Sequence, residues 1–68
     1  MERVPVSSSN VNSVGYDEDT STLEIEFYSG TYHYYDVPRH VFEELVSSSS
    51  VGSYIHHHIK GSYSYEQV

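Results

Sequence analysis

Three kinds of side chain in this sequence can do chemistry: the histidines of YIHHHIK at 54–60, the serines gathered in SSSN at 7–10 and SSSS at 47–50, and the carboxylates. The histidine run first suggests a metal. A zinc site wants three or four ligands converging tetrahedrally, and a helix supplies two of them when its histidines stand four residues apart. His56, His57 and His58 are adjacent, and adjacent helical residues do not face one another, so the three cannot wrap one ion. His33 and His40 are remote in sequence and there is no cysteine. We therefore expect no metal site and no cofactor. A purification-tag remnant fits as poorly, because three histidines between helical apolar residues are too few and in the wrong place. The simpler reading is one half-buried histidine, His58, with His56 and His57 on solvated helix surface.

The serines carry no nucleophile signature. No G-x-S-x-G elbow is present, and so many Ser, His and Asp residues make a triad imaginable anywhere, which proves nothing. Paired carboxylates occur as Glu24/Glu26, as Glu43/Glu44 and in the DEDT loop at 17–20, where solubility explains them more simply than acid–base work. We expect a non-enzymatic domain. The stretch SSSSVGSY, 47–54, is more informative. Ser50 can cap a helix whose first backbone N–H groups and dipole favour an anion without a lysine, and Gly52 lets a ligand approach the backbone. A capped helix after a loop explains the same residues with no ligand at all. The corner Ser8, Ser9, Asn10 is uninterpretable alone; if the fold brings it to Ser50, the two supply hydroxyl, amide and backbone donors around one small polar ligand.

The whole chain limits these readings. Its 68 residues make one small domain, residues 1–68 with a core at 4–65, and a domain near that size buries only about 60% of the surface its unfolded chain exposes. Without cysteines, tight packing or assembly must supply stability, so a homo-oligomer is expected. The opening MERVPVSSSN has no apolar run suited to secretion, and no window reaches the roughly 20 apolar residues of a membrane span, which implies a cytoplasmic protein without a membrane partner. Formal charge is −7, with only Arg3, Arg39 and Lys60 basic. Three cations cannot form the basic stripe that a long polyanion needs, so RNA is disfavoured while a ligand with one or two phosphates is tolerated. Eight tyrosines and no tryptophan fit half-wet surfaces as well as a small core.

The elements that must position these residues read as an α+β fold. Val14 and Tyr16 share one face of a first strand after the SSSN corner, and DEDTS is a loop. TLEIEFY alternates strictly, with Leu23, Ile25 and Phe27 inward and Glu24 and Glu26 outward. A two-residue turn at Ser29-Gly30 would pair Tyr28 with Thr31, Phe27 with Tyr32, Glu26 with His33 and Ile25 with Tyr34. Tyr32 and Tyr34 then join the core face, and His33 and Tyr35 the outer one. Pro38 opens a short helix with Val41, Phe42, Leu45 and Val46 on its stripe. Val51, Tyr54, Ile55, His58 and Ile59 form a second stripe that Gly61 ends, and SYSYEQV is either a tail or a short edge strand. The expectation is a three-stranded antiparallel meander with two short helices packed on one face, leaving an open edge for self-association.

In this order, SSN at 8–10, VGYD at 14–17, TLEIEF at 22–27, YHY at 32–34, DVP at 36–38, SVGSY at 50–54 and IKGSY at 59–63 resemble the KTSC domain. That module is named for its place at the C-terminus of some lysyl-tRNA synthetases, and it also stands alone in bacterial and phage proteins. The resemblance covers residues 4–65. It carries over to Ser8, Ser9 and Asn10, to Gly15 and Tyr16, to Gly30, Tyr32 and Tyr34, to Val37 and Pro38, to Ser50, Gly52 and Tyr54, and to Ile59, Lys60 and Tyr63. The SSSS before VGSY departs from the family, which tends to an alanine there. The histidines match no fixed residue type.

The family's link to a tRNA synthetase implies RNA binding, whereas its standalone phage members resemble small oligomeric proteins that sequester nucleotide immune signals. Charge favours the second. The leading expectation is a small-nucleotide-binding module, a sponge for cyclic nucleotides, with Ser8, Ser9, Asn10, Ser50, Gly52, Tyr54 and Tyr63 at the ligand. Arg39 or Lys60, from the same or a neighbouring subunit, would meet its phosphate. An RNA-binding accessory domain that stacks bases on Tyr28, His33 and Tyr35 is the alternative, and a protein-interaction domain is the third reading.

Overall fold

The strict alternation of TLEIEF makes a strand that must bury Leu23, Ile25 and Phe27 on one side, and the rest of the fold is built on that strand. The computed structural model describes residue 1 and residues 3–68. Five strands, β1 (Arg3–Pro5), β2 (Val11–Asp17), β3 (Thr22–Phe27), β4 (Gly30–Tyr34) and β5 (Tyr65–Gln67), form one antiparallel sheet in sequence order. Two helical segments, α1 (Arg39–Ser47) and α2 (Val51–Tyr54), are inserted between β4 and β5, and α2 runs directly into a π-turn at Ile55–Ile59. The α+β class holds, and the sheet has five strands where the sequence pattern suggests three. Both added strands are three residues long and exposed, too short to show an alternation. They are strands because β2 and β4 offer them unpaired edges.

Register departs from expectation in one hairpin. Phe27 pairs with Gly30, Ile25 with Tyr32, Glu24 with His33 and Leu23 with Tyr34, so the turn is Tyr28-Ser29 and the pairing is offset by two residues. Gly30 sits at φ 156°, a backbone conformation that L side chains rarely adopt, and this lets the glycine open β4 rather than close the turn. An offset of two preserves faces, so Tyr32 and Tyr34 still point inward and His33 outward. A bulge at Asn12 does the reverse service in β2: Val11 opposes Phe27 and Ser13 opposes Glu26, which puts Val11 and Val14 on the core face although they are three apart.

The core is a single cluster of Val11, Val14, Leu23, Ile25, Tyr34, Val37, Val41, Leu45, Val51, Ile55 and Ile59. Tyr16 stacks on Phe42 at 5.4 Å and donates its hydroxyl hydrogen bond to the Val37 carbonyl, which fixes where α1 leaves the sheet. Val41 and Leu45 are buried on α1, with Phe42 and Val46 half-buried beside them. On the second helical segment Val51, Ile55 and Ile59 are buried. Steps of four drift by about 40° each at ordinary α-helical winding, and the wider π-turn takes up that drift. The same geometry corrects the reading of His58: it is exposed along with His56 and His57, its ring lying 4.5 Å from that of half-buried Tyr54.

Candidate functional site

The two serine corners meet. In the first, the Asn10 N–H donates to Ser8 Oγ, and the Asn10 carbonyl accepts from the Tyr28 N–H at 3.0 Å, latching the corner to the tip of the β3–β4 hairpin. In the second, Ser48 Oγ accepts from the Ser50 N–H and donates to the Ser50 carbonyl, while Ser50 Oγ accepts from the Ser53 N–H at 3.3 Å and so caps α2 as its sequence suggests. Gly52 lies between them: a Cβ there would stand 3.6 Å from Ser8 Oγ. The result is a cleft of about 510 Å³ lined by Ser7–Val11 and Ser49–Ser53, with Phe27, Ile55, His56, His57 and Lys60 around it.

Charge distinguishes Lys60 from the other two cations. Arg3 is paired with Glu24 and Glu26, and Arg39 with Glu18 at 2.8 Å and Glu43 at 3.1 Å. Among the described residues Lys60 has no carboxylate partner, and its Nζ lies 5.4 Å above the Phe27 ring, a cation–π distance. It stands where the π-turn ends, its N–H donating to the Ile55 carbonyl. Lys60 and Phe27 also line a second cleft, of about 480 Å³, with Ser29, Tyr32, Tyr34, Gly61 and Tyr65.

Ser8, Ser9, Asn10, Ser50, Gly52 and Lys60 therefore share one cleft, and three further residues named from the sequence do not line it. Arg39 faces the Asp17–Asp19 loop. Tyr54 donates to Glu44 at 2.7 Å, and burial, then that carboxylate, pushes its hydroxyl up to about 12. Tyr63 packs half-buried against the core. Sequence reasoning passed over His56 and His57 at this cleft, and Phe27 and Tyr65 at its neighbour. The inward alternation of Phe27 was the only available signal. Tyr65 became legible once SYSYEQ was seen to pair with β4.

The outer face of the sheet is a closed polar network. His33 Nε2 is 2.8 Å from Glu24, Asn12 and Ser13 donate to Glu26 at 2.7 and 2.8 Å, and Tyr35 donates to Glu66 at 2.7 Å. Partial burial pushes the Glu24 carboxyl up, but hydrogen bonds from His33 and Arg3 outweigh it and hold its pKa below the ordinary value. Hydrogen bonds from Asn12, then Ser13, lower that of Glu26. Of the aromatics expected as a stacking platform, His33 and Tyr35 are held by carboxylates, and Tyr28 stands apart in the turn, 68% exposed. Among the described residues no group of three or more His, Cys, Asp or Glu is placed to hold a metal ion, and no helix is long and apolar enough to cross a membrane.

Comparison with known proteins gives a consistent family. The KTSC domain profile matches residues 7–63. A lysine–tRNA ligase of Nostoc sp. is 44% identical over 59 residues, and that of Trichormus variabilis 48% over 54, covering 85% and 78% of this chain. The chain spans about a tenth of the length of either ligase. A protein of Stutzerimonas stutzeri is 43% identical over 53 residues, 76% of this chain and 75% of its own length. The crystal structure of a KTSC domain protein from Yersinia pestis superposes with a TM-score of 0.95 at 40% identity, covering 98% of this chain and 96% of that one.

Proposed function

Since this chain belongs to the KTSC domain family, and its own fold joins two serine corners about 40 residues apart, we propose that it is a non-enzymatic module that binds a small nucleotide. The observation that carries the reading is the convergence of Ser8–Asn10, Ser50 and Gly52 on one cleft beside Lys60, the cation not neutralised by a carboxylate among the described residues. Serine hydroxyls and backbone N–H groups bind phosphate oxygens without adding charge, and one lysine suffices as a point countercharge. The same inventory suits sequestration of a nucleotide signal, which requires binding without turnover. Copies would assemble through β1 and β5, whose outer edges are unpaired in the sheet.

Native mass spectrometry of the untagged protein against cyclic di- and trinucleotides, cyclic ADP-ribose isomers and a short RNA tests this directly. A stoichiometric small-nucleotide complex on a defined assembly is the expected result, and silence across the small ligands refutes it. The match to lysine–tRNA ligases favours one other reading, an accessory contact to RNA. A complex with the RNA alone, weakening steeply with salt, would put that reading first. The charge of −7 and the carboxylate-held His33 and Tyr35 weigh against it.

A further inference from the structure

Three tyrosines of this protein donate a hydroxyl hydrogen bond to their own chain, and three of those that do not gather around one cleft. Tyr16, Tyr35 and Tyr54 donate to the Val37 carbonyl, Glu66 and Glu44. Among the described residues, the hydroxyls of Tyr32, Tyr34 and Tyr65 have no protein partner, yet all three residues line the cleft that also contains Phe27 and Lys60. Tyr34 is only 3% exposed, but no buried side-chain polar atom among the described residues is left without a partner, so its hydroxyl opens onto the cleft and is free to meet a ligand there. Burial, then the neighbouring Tyr65 and Tyr32, pushes its pKa up, so it keeps its proton and remains a donor. The rings also form a wall: Tyr65 lies 5.5 Å from Tyr34 and 5.9 Å from Tyr32, and Tyr32 meets Phe27 edge-on at 5.6 Å.

We infer that this aromatic cleft is the base subsite of the nucleotide whose phosphate occupies the serine cleft, with the base stacked on Tyr65 and its heteroatoms facing the tyrosine hydroxyls. The assignment rests on the nucleotide reading above. Two features join the clefts into one site: Lys60 and Phe27 line both, so a ligand spanning them passes the lysine midway. A base is the occupant that fits, because it presents a π-face to tyrosine rings and donor and acceptor atoms to hydroxyls at its edge, whereas a sugar phosphate offers no π-face. Tyr65 is 61% exposed on the three-residue edge strand β5, so its ring is accessible to a stacking partner and its replacement leaves the core intact.

The test uses adenosine 5′-monophosphate and ribose 5-phosphate as probes, titrated by NMR so that weak binding is still read. Wild-type protein should bind the nucleotide more tightly, with the Tyr32 and Tyr65 ring resonances shifting. Tyr65→Ala should weaken the nucleotide about tenfold and leave ribose 5-phosphate unchanged, while Tyr65→Phe keeps most of the affinity. Equal wild-type affinity for the two probes, or a Tyr65→Ala loss shared equally by both, overturns the base subsite and leaves the serine cleft as a phosphate site. No binding of either probe overturns both assignments.

Discussion

The two sides of the sheet carry similar residue types and use them in opposite ways. On the outer face, Arg3, Asn12, Ser13, His33 and Tyr35 all reach Glu24, Glu26 or Glu66, so donors and acceptors are matched within the protein. Around Lys60 on the other side, the cation lacks a carboxylate partner and three tyrosine hydroxyls lack any protein partner among the described residues. A matched surface stabilises the strands that carry it. An unmatched one leaves hydrogen-bonding groups open to water or to a ligand, and the proposed site rests on that openness. The proposed site therefore rests on groups without protein partners, not on polar and aromatic residue types alone.

The sharpest way to break this contrast is to fill the open side. Gly52→Val should place methyl groups against Ser8 Oγ and lower small-nucleotide affinity about 10- to 100-fold, the loss expected when a charged ligand forfeits a hydrogen bond, with little change in the denaturant midpoint. Calorimetric titration checks the first outcome and chemical denaturation the second. If affinity survives in the folded variant, the serine cleft is not the site.

The outer face should give the complementary result. Glu24→Gln removes the charge that Arg3 and His33 share, so stability should fall by about 1 kcal/mol, within the range for partly exposed pairs, while ligand affinity stays as it was. Acid unfolding reads the same network. The Glu24 and Glu26 carboxyls have lowered pKa values in the folded state, so their contribution is present above the ordinary 4.5 and is lost as pH falls through the lowered values. The acid limb of the stability curve should flatten in Glu24→Gln. The smallest effect belongs to Arg39→Ala: exposed, paired with Glu18 and Glu43, and away from both clefts, it should change neither affinity nor the denaturant midpoint measurably. A loss of affinity there would show that a neighbouring subunit contributes to the site.

Legibility in the sequence followed periodicity. The alternation of TLEIEF and the stripes of the two helical segments identified most of the core, because each pattern repeats within a few residues of chain. Parity also survived the register error in the β3–β4 hairpin, since an offset of two leaves every side chain on its face. His58 was misplaced because a 3.6-residue period was applied across a π-turn. Strand β1 was missed and β5 reads as either a tail or an edge strand, because three exposed residues have no period to read.

By itself the sequence determined the fold class, the inward faces of β3 and α1, the Ser50 cap and a charge balance that disfavours long polyanions. These depend on local propensity and composition, which need no knowledge of distant neighbours. Tertiary structure alone decided that SSSN meets SVGS, that Arg3 and Arg39 are neutralised while Lys60 stands between two clefts, and that Tyr65 returns to Tyr34. Each of those facts is a distance between residues far apart in the chain, and no local pattern encodes a distance that only the folded sheet and its crossing helices bring about.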